Sequence, residues 1–218
     1  MSSDYQLIKK VNLTIVNQDW DRVRARYLGL KEKISSNELQ SDYILSDNDP
    51  TGIIYGQTFY YLKHLGSIDS TDERISNNWD SWRGQLFYSL CPWYKQAVKL
   101  FAPLDLAGIA WSVNYEDIKL HIDQKPSDKE AYDQCKINYI VDSQDIKAKT
   151  IVYDLADSNR YFAYESIPKT AWLLDTNHPH EVNSTGKREI VQFKFWNSFD
   201  QVAKFLDQTG PIIFDAKK

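Results

Sequence analysis

The feature that most constrains this chain is a change of hydrophobic period near residue 104. Beyond it, eight short strand-like runs follow one another with turn residues between them. They are Ala107 to Tyr115, Ile118 to Asp123, Cys135 to Val141, Thr150 to Asp154, Tyr161 to Glu165, Thr170 to Asp175, His180 to Asn183 and Lys187 to Trp196. No stretch between them is regular enough to serve as the crossover helix of a parallel βαβ unit, so the strands are expected to pair antiparallel. A set of that size hides its edges by closing into a sandwich or barrel. The expected fold class is therefore mainly β with flanking helices.

Before residue 104 the pattern is mostly helical and interrupted. Trp20, Val23, Tyr27 and Leu30 recur at spacings of three and four, and the Ser-, Asn- and Asp-rich stretch from Ser35 to Pro50 reads as a loop. Thr58 to Leu62 suits a strand. Ser70 and Glu73 have capping-box spacing, and Pro92 opens a short helix bearing Trp93, Ala97, Leu100 and Phe101. At the other end Ser198 and Gln201 form a second capping pair, Phe199, Val202 and Leu206 give a helical face, and Gly210-Pro211 supplies a stop. We expect one domain over residues 1–218. Residues 1–104 would form a mixed helical buttress, 105–197 the β core, and 198–218 a terminal helix and tail.

Hydrophobic residues make up 42% of the chain and aromatics 14%, enough to fill a core and still line a cavity. A net charge of −4, with no Lys/Arg stripe, argues against nucleic acid as a partner. Cys91 and Cys135 match no zinc spacing and no disulfide framework; they read as small buried apolar residues. The first sixteen residues lack the apolar core of a signal peptide, and no run is long enough to span a membrane. A soluble, cytoplasmic protein is expected.

Three of the four histidines, His121, His178 and His180, lie in the β half. In Lys119-Leu120-His121-Ile122-Asp123, residues two apart on a strand share a face, so His121 and Asp123 would point into one cavity. An imidazole and a carboxylate joined by a distant second imidazole form a two-His-one-carboxylate triad, which leaves one side of an iron open. The second imidazole would come from Asn177-His178-Pro179-His180-Glu181-Val182.

The order His-X-Asp, several strands, His, then Arg is similar to the Fe(II)/2-oxoglutarate dioxygenase superfamily. Cys135 to Val141 looks like the strand after its ligand pair. His180-Glu181-Val182-Asn183 followed by Arg188 resembles its aspartyl/asparaginyl β-hydroxylase-like and prolyl-hydroxylase-like branches. The resemblance covers residues 106–196 and implies a double-stranded β-helix (a cupin-like jelly roll). It also implies Fe(II) held by His121, Asp123 and His180, 2-oxoglutarate as cosubstrate, and dioxygen. Arg188 would pair with the distal carboxylate of 2-oxoglutarate, where a planar fork suits better than a lysine. Tyr139 would set its hydroxyl against the same carboxylate. The reaction implied is hydroxylation of an unactivated C–H bond; the branch it resembles favours a protein or peptide side chain as substrate, and a free amino acid or small metabolite stays open.

The sequence departs from the family in places. Aspartyl β-hydroxylases often lack the acidic ligand, which is present here as Asp123. The gap from His180 to Arg188 is short, which keeps His178 as a rival ligand; a tight turn through Ser184, Thr185 and Gly186 would absorb the difference and put Arg188 on a hairpin. Lys194 stands where the DNA-alkylation-repair branch carries a second arginine.

Two other functions fit the pattern: a cupin-type metalloenzyme that does not use 2-oxoglutarate, and a non-catalytic β-sandwich binding module. His64 reads as a half-buried structural histidine. Trp79, Trp82 and Trp93 read as core rather than cleft, the Asp42 to Asp49 tract as a solvated loop or lid, and Asp142, Asp145 and Lys147 as a polar hairpin tip.

Overall fold

The computed structural model describes residues 6–25, 57–64, 90–114, 117–123, 134–157 and 159–217. The loop at Ser35 to Pro50, the Ser70/Glu73 pair, Tyr27, Leu30, Trp79, Trp82 and the side chain of His64 lie outside the described residues.

The strands are β1 (Ile8–Val11), β2 (Leu13–Val16), β3 (Gln57–His64), β4 (Leu106–Asn114), β5 (Ile118–His121) and β6 (Cys135–Ser143). They continue with β7 (Lys149–Tyr153), β8 (Tyr161–Glu165), β9 (Ala171–Asp175), β10 (His180–Asn183), β11 (Arg188–Phe195) and β12 (Ile212–Asp215). Two helices have both ends among the described residues, α1 (Tyr94–Leu100) and α2 (Phe199–Thr209). All eight strands expected beyond residue 104 are present, as β4 to β11, within a few residues of their expected limits.

Their order settles the architecture. The major sheet runs β1-β9-β6-β11-β4-β3 and the minor sheet β5-β10-β7-β8. Neighbours in both sheets pair antiparallel. From β4 to β11 the chain passes between the sheets with only β7 and β8 joined as a hairpin within one. The result is two four-stranded sheets wound together, a double-stranded β-helix or jelly roll. β1 and β3 extend the major sheet at its two edges.

Two apolar clusters show which face of the major sheet does what. Ile137, Tyr139, Val141, Val191, Phe193 and Phe195 point outward, and α1, α2 and the parallel pair β2–β12 cover them. In that layer Phe101 meets Phe193 and Phe195 edge-on, and Trp93 stacks on Phe214. Full burial of such side chains contributes roughly 1.5–3 kcal/mol each. Trp93 is thus core, as expected. The inward face carries Ile140 and Ile190, which meet Val152, Tyr164 and Leu174 between the sheets. Strand β6 is buried on both faces, so its alternation separates two interiors rather than core from solvent.

The helix at residues 20–25 starts where expected, with Asp19 accepting from the Arg22 backbone N–H at 2.9 Å. Helix α2 carries the full capping box of Ser198 and Gln201, and Gly210 ends it at φ 74°. Three strands differ from the sequence reading. β1, β2 and β12 lie outside the series of eight, and pairing with distant partners makes them strands. Nor is Arg188 on a hairpin. β10 and β11 belong to opposite sheets, and the Ser184–Gly186 turn carries the chain across the barrel wall. Asp145 braces that turn, accepting from the Thr185 backbone and hydroxyl at 3.1 and 2.9 Å, so it does more than decorate a loop tip.

Candidate metal centre

At one end of the space between the sheets, β5 and β10 bring His121 and His180 opposite each other in the ladder, with ring centroids 4.3 Å apart. Asp123 joins them. One potential ligand atom from each of these three residues lies within 4.8 Å of the others. Asp123 Oδ1 is 3.3 Å from His121 Nε2 and 3.5 Å from His180 Nε2.

The route by which Asp123 arrives is not the one its spacing suggests. Strand β5 ends at His121, and Asp123 occupies a bend beyond it. β5 is an edge strand paired only with β10, so no ladder bond fixes the carboxylate. Lys136, from the inward face of β6, does so: its Nζ lies 2.6 Å from Asp123 Oδ2.

Both imidazoles are oriented by backbone carbonyls. His121 Nδ1 is 2.7 Å from the Lys119 carbonyl and His180 Nδ1 is 2.9 Å from that of His178. Each Nδ1 therefore carries the proton, leaving the Nε2 lone pair for a metal. Among the described residues His180 Nε2 is buried with no close hydrogen-bond partner, Asp123 Oδ1 at 3.5 Å being the polar atom beside it. An orphan of that kind beside a carboxylate oxygen and a second imidazole nitrogen fits a divalent cation of the iron class, since the set mixes imidazole and carboxylate donors. Burial lowers the His180 pKa despite the opposing pull of Asp123, which favours the neutral ligand form. For Asp123, burial acts to raise the pKa, but Lys136, then His180 and His121, outweigh it and hold the carboxyl well below its usual range.

His178 does not join this group. Its Nδ1 lies 3.2 Å from the Leu155 backbone N–H, and its carbonyl positions His180.

Arg188 lies deeper between the sheets. It is 2% exposed, and its Nη1 donates to Thr150 Oγ at 2.8 Å and Ser166 Oγ at 3.3 Å. Its Nε has no partner, and among the described residues no carboxylate pairs with it. Burial lowers its pKa below the usual guanidinium range, which Tyr164 nearby opposes. In the minor-sheet ladder His180 pairs with Val152, and Val182 with Thr150. The Thr150 hydroxyl that the guanidinium meets thus lies about one pleat repeat, roughly 7 Å, further along the sheet than the level of His180. Val152 and Val182 are buried at these levels, and Ile140 and Ile190 pack with Val152 between the sheets.

Tyr139 is elsewhere. It pairs with Val191 on the outward face, packs in the helix-covered cluster, and its hydroxyl meets the Ile15 backbone. The expectation that it faces the arginine is corrected by strand parity: Arg188, Ile190 and Gln192 point inward, whereas Glu189, Val191 and Phe193 point outward. The inward tyrosine is Tyr164, which accepts from Asn138 Nδ2 at 2.9 Å; Asn138 in turn accepts from Gln192 at 3.2 Å.

Sequence reasoning missed Lys136, Asn138, Thr150, Tyr164, Ser166 and Gln192. A signal existed on β6, where Lys136 and Asn138 alternate with Ile137, Tyr139 and Val141. Two polar residues two places apart on a strand buried on both faces mark a polar stretch of the interior.

No protein-family model matches the chain, and no curated protein matches it. Solved structures do. A prolyl-4-hydroxylase from Pseudomonas putida is similar at 12% identity over 88% of this chain and 94% of that one, with a TM-score of 0.43. A prolyl hydroxylase from Trichoplax adhaerens, in complex with a hypoxia inducible factor peptide fragment, is similar at 14% identity over 94% and 87%, with a TM-score of 0.45. An oxidoreductase of the 2OG-Fe(II) oxygenase family from Burkholderia pseudomallei is similar at 12% identity over 65% and 67%, with a TM-score of 0.39. Among the described residues, no helix is long and apolar enough to cross a membrane.

Proposed function

We propose that this protein is a non-haem Fe(II)- and 2-oxoglutarate-dependent oxygenase that hydroxylates an unactivated C–H bond, with a protein or peptide side chain as its substrate class. The observation that carries this reading is a buried guanidinium with no carboxylate partner among the described residues, about one pleat repeat from a His/Asp/His cluster. A buried unpaired charge costs several kcal/mol, a cost a fold retains where a ligand will offset it. A short dicarboxylate meets both needs, with one end on the cation and the other on Arg188.

His121 Nε2, His180 Nε2 and Asp123 Oδ1 would hold Fe(II). When bound, the iron supplies dioxygen activation coupled to decarboxylation of 2-oxoglutarate to succinate. The protein's own part is placement. The two Nδ1–H bonds to backbone carbonyls fix the imidazole tautomers. Arg188, with Thr150 and Ser166 behind it, receives the distal carboxylate, and the Tyr164 hydroxyl lies on the same side. Val152, Val182 and Ile190 keep water from the space between.

The direct test is turnover. Protein supplied with Fe(II), ascorbate, dioxygen and 2-oxoglutarate should release succinate slowly without substrate and faster with a matching member of a peptide panel. Absence of succinate in every arm, with iron bound, would remove 2-oxoglutarate from the reading and leave a cupin-type metalloenzyme.

A further inference from the structure

Asp123 divides its carboxylate. Oδ1 is the oxygen near both histidine nitrogens, at 3.3 and 3.5 Å, whereas Oδ2 is held by Lys136 at 2.6 Å. Lys136 is itself 8% exposed and rises from β6 in the opposite sheet, so the ion pair spans the mouth of the barrel. A carboxylate free at both oxygens can take one or two positions on a divalent cation. With one oxygen turned towards an ammonium, that oxygen is drawn away from the cation and single-oxygen binding is favoured.

We propose that Lys136 is a positioning residue that makes Asp123 a single-oxygen ligand and so reserves a coordination position for the incoming cosubstrate. This rests on the proposed iron site and goes beyond it, because it assigns the number of open positions to a side chain outside the ligand set. The physical case has two parts. Asp123 lies past the end of an edge strand, where the ladder does not fix it, so whichever group holds Oδ2 sets its rotation. The lysine also leaves a fixed positive charge beside the cation, which favours anionic exogenous ligands over a second protein oxygen. Outer contacts of this kind orient metal ligands generally.

The test uses Co(II), whose visible d–d absorption reports coordination number, in the wild-type protein, Lys136→Met and Lys136→Arg. Lys136→Met keeps the apolar stem and frees Oδ2. It should bind Co(II) at least as tightly as wild type, show an altered d–d spectrum, and bind 2-oxoglutarate about tenfold more weakly by calorimetry. Lys136→Arg keeps a donor on Oδ2 and should reproduce the wild-type spectrum. A Lys136→Met spectrum and 2-oxoglutarate affinity equal to wild type would overturn the proposal, as would a Lys136→Arg spectrum unlike wild type. Loss of Co(II) binding by folded Lys136→Met would overturn it too, since the lysine would then build the site rather than set its valency. Failure of the wild-type protein to bind Co(II) would instead sink the iron-site reading, and this proposal with it.

Discussion

Tyr139 and Arg188 stand on neighbouring strands of the major sheet and project from opposite faces of it. The arginine reaches Thr150 and Ser166 between the sheets, and the tyrosine packs beneath the helices. Tyr139→Phe should therefore leave 2-oxoglutarate affinity unchanged. Tyr164→Phe should weaken it by a few-fold to tenfold, the worth of one hydrogen bond at about 0.5–1.5 kcal/mol. Calorimetry on the Mn(II)-loaded variants separates the two.

Arg188→Met tests whether the guanidinium serves a ligand or the fold. Its charge is buried with only hydroxyl partners, so a side chain of similar length without charge should leave the ligand-free melting temperature unchanged or raised. Affinity for 2-oxoglutarate should fall about ten- to hundredfold, from charged hydrogen bonds worth about 1.5–3 kcal/mol. A large drop in ligand-free stability with unchanged affinity would make the residue structural.

Phe193 lies on the strand that carries Arg188 but on the helix-covered face, in edge contact with Phe101. Phe193→Ala should cost about 3–5 kcal/mol in urea denaturation. Since it does not touch the metal cluster, metal affinity measured well below the unfolding midpoint should stay within about threefold of wild type.

Cys91 offers a pH test remote from the centre. It is 1% exposed, and burial raises its thiol from 9.0 to about 12. The folded value lies above the unfolded one, so this group's contribution to stability is complete below pH 9 and is lost as pH rises towards 12. Chemical denaturation at stepped pH should show that decline, and it should shrink in Cys91→Ala. Iodoacetamide at pH 8 should label Cys91 only after unfolding.

How much was legible in the sequence follows from the range of each signal. The eight strands of the jelly roll and helix α2 carry their own alternation and caps, so local reading reaches them. His121, Asp123, His180 and Arg188 were readable as an ordered set, and the fold brings the first three within 4.8 Å. Tyr139 failed because face assignment on a strand buried on both sides cannot be made from hydrophobicity: both faces are buried, and only the polar parity of Lys136 and Asn138 tells them apart. The short strands β1, β2 and β12 exist through long-range pairing, which leaves little local trace. Asp123 reaches the two histidines from a bend rather than from a strand face, because the edge strand ends sooner than its alternation suggests.

The most direct test of the account is an anaerobic titration of the Fe(II) protein with 2-oxoglutarate, followed by visible absorption. The account predicts a weak metal-to-ligand charge-transfer band that saturates at one equivalent in wild type and is lost in His180→Ala and Asp123→Ala. A wild-type protein that takes up neither iron nor 2-oxoglutarate at millimolar concentration, or a band that survives in both variants, would contradict it.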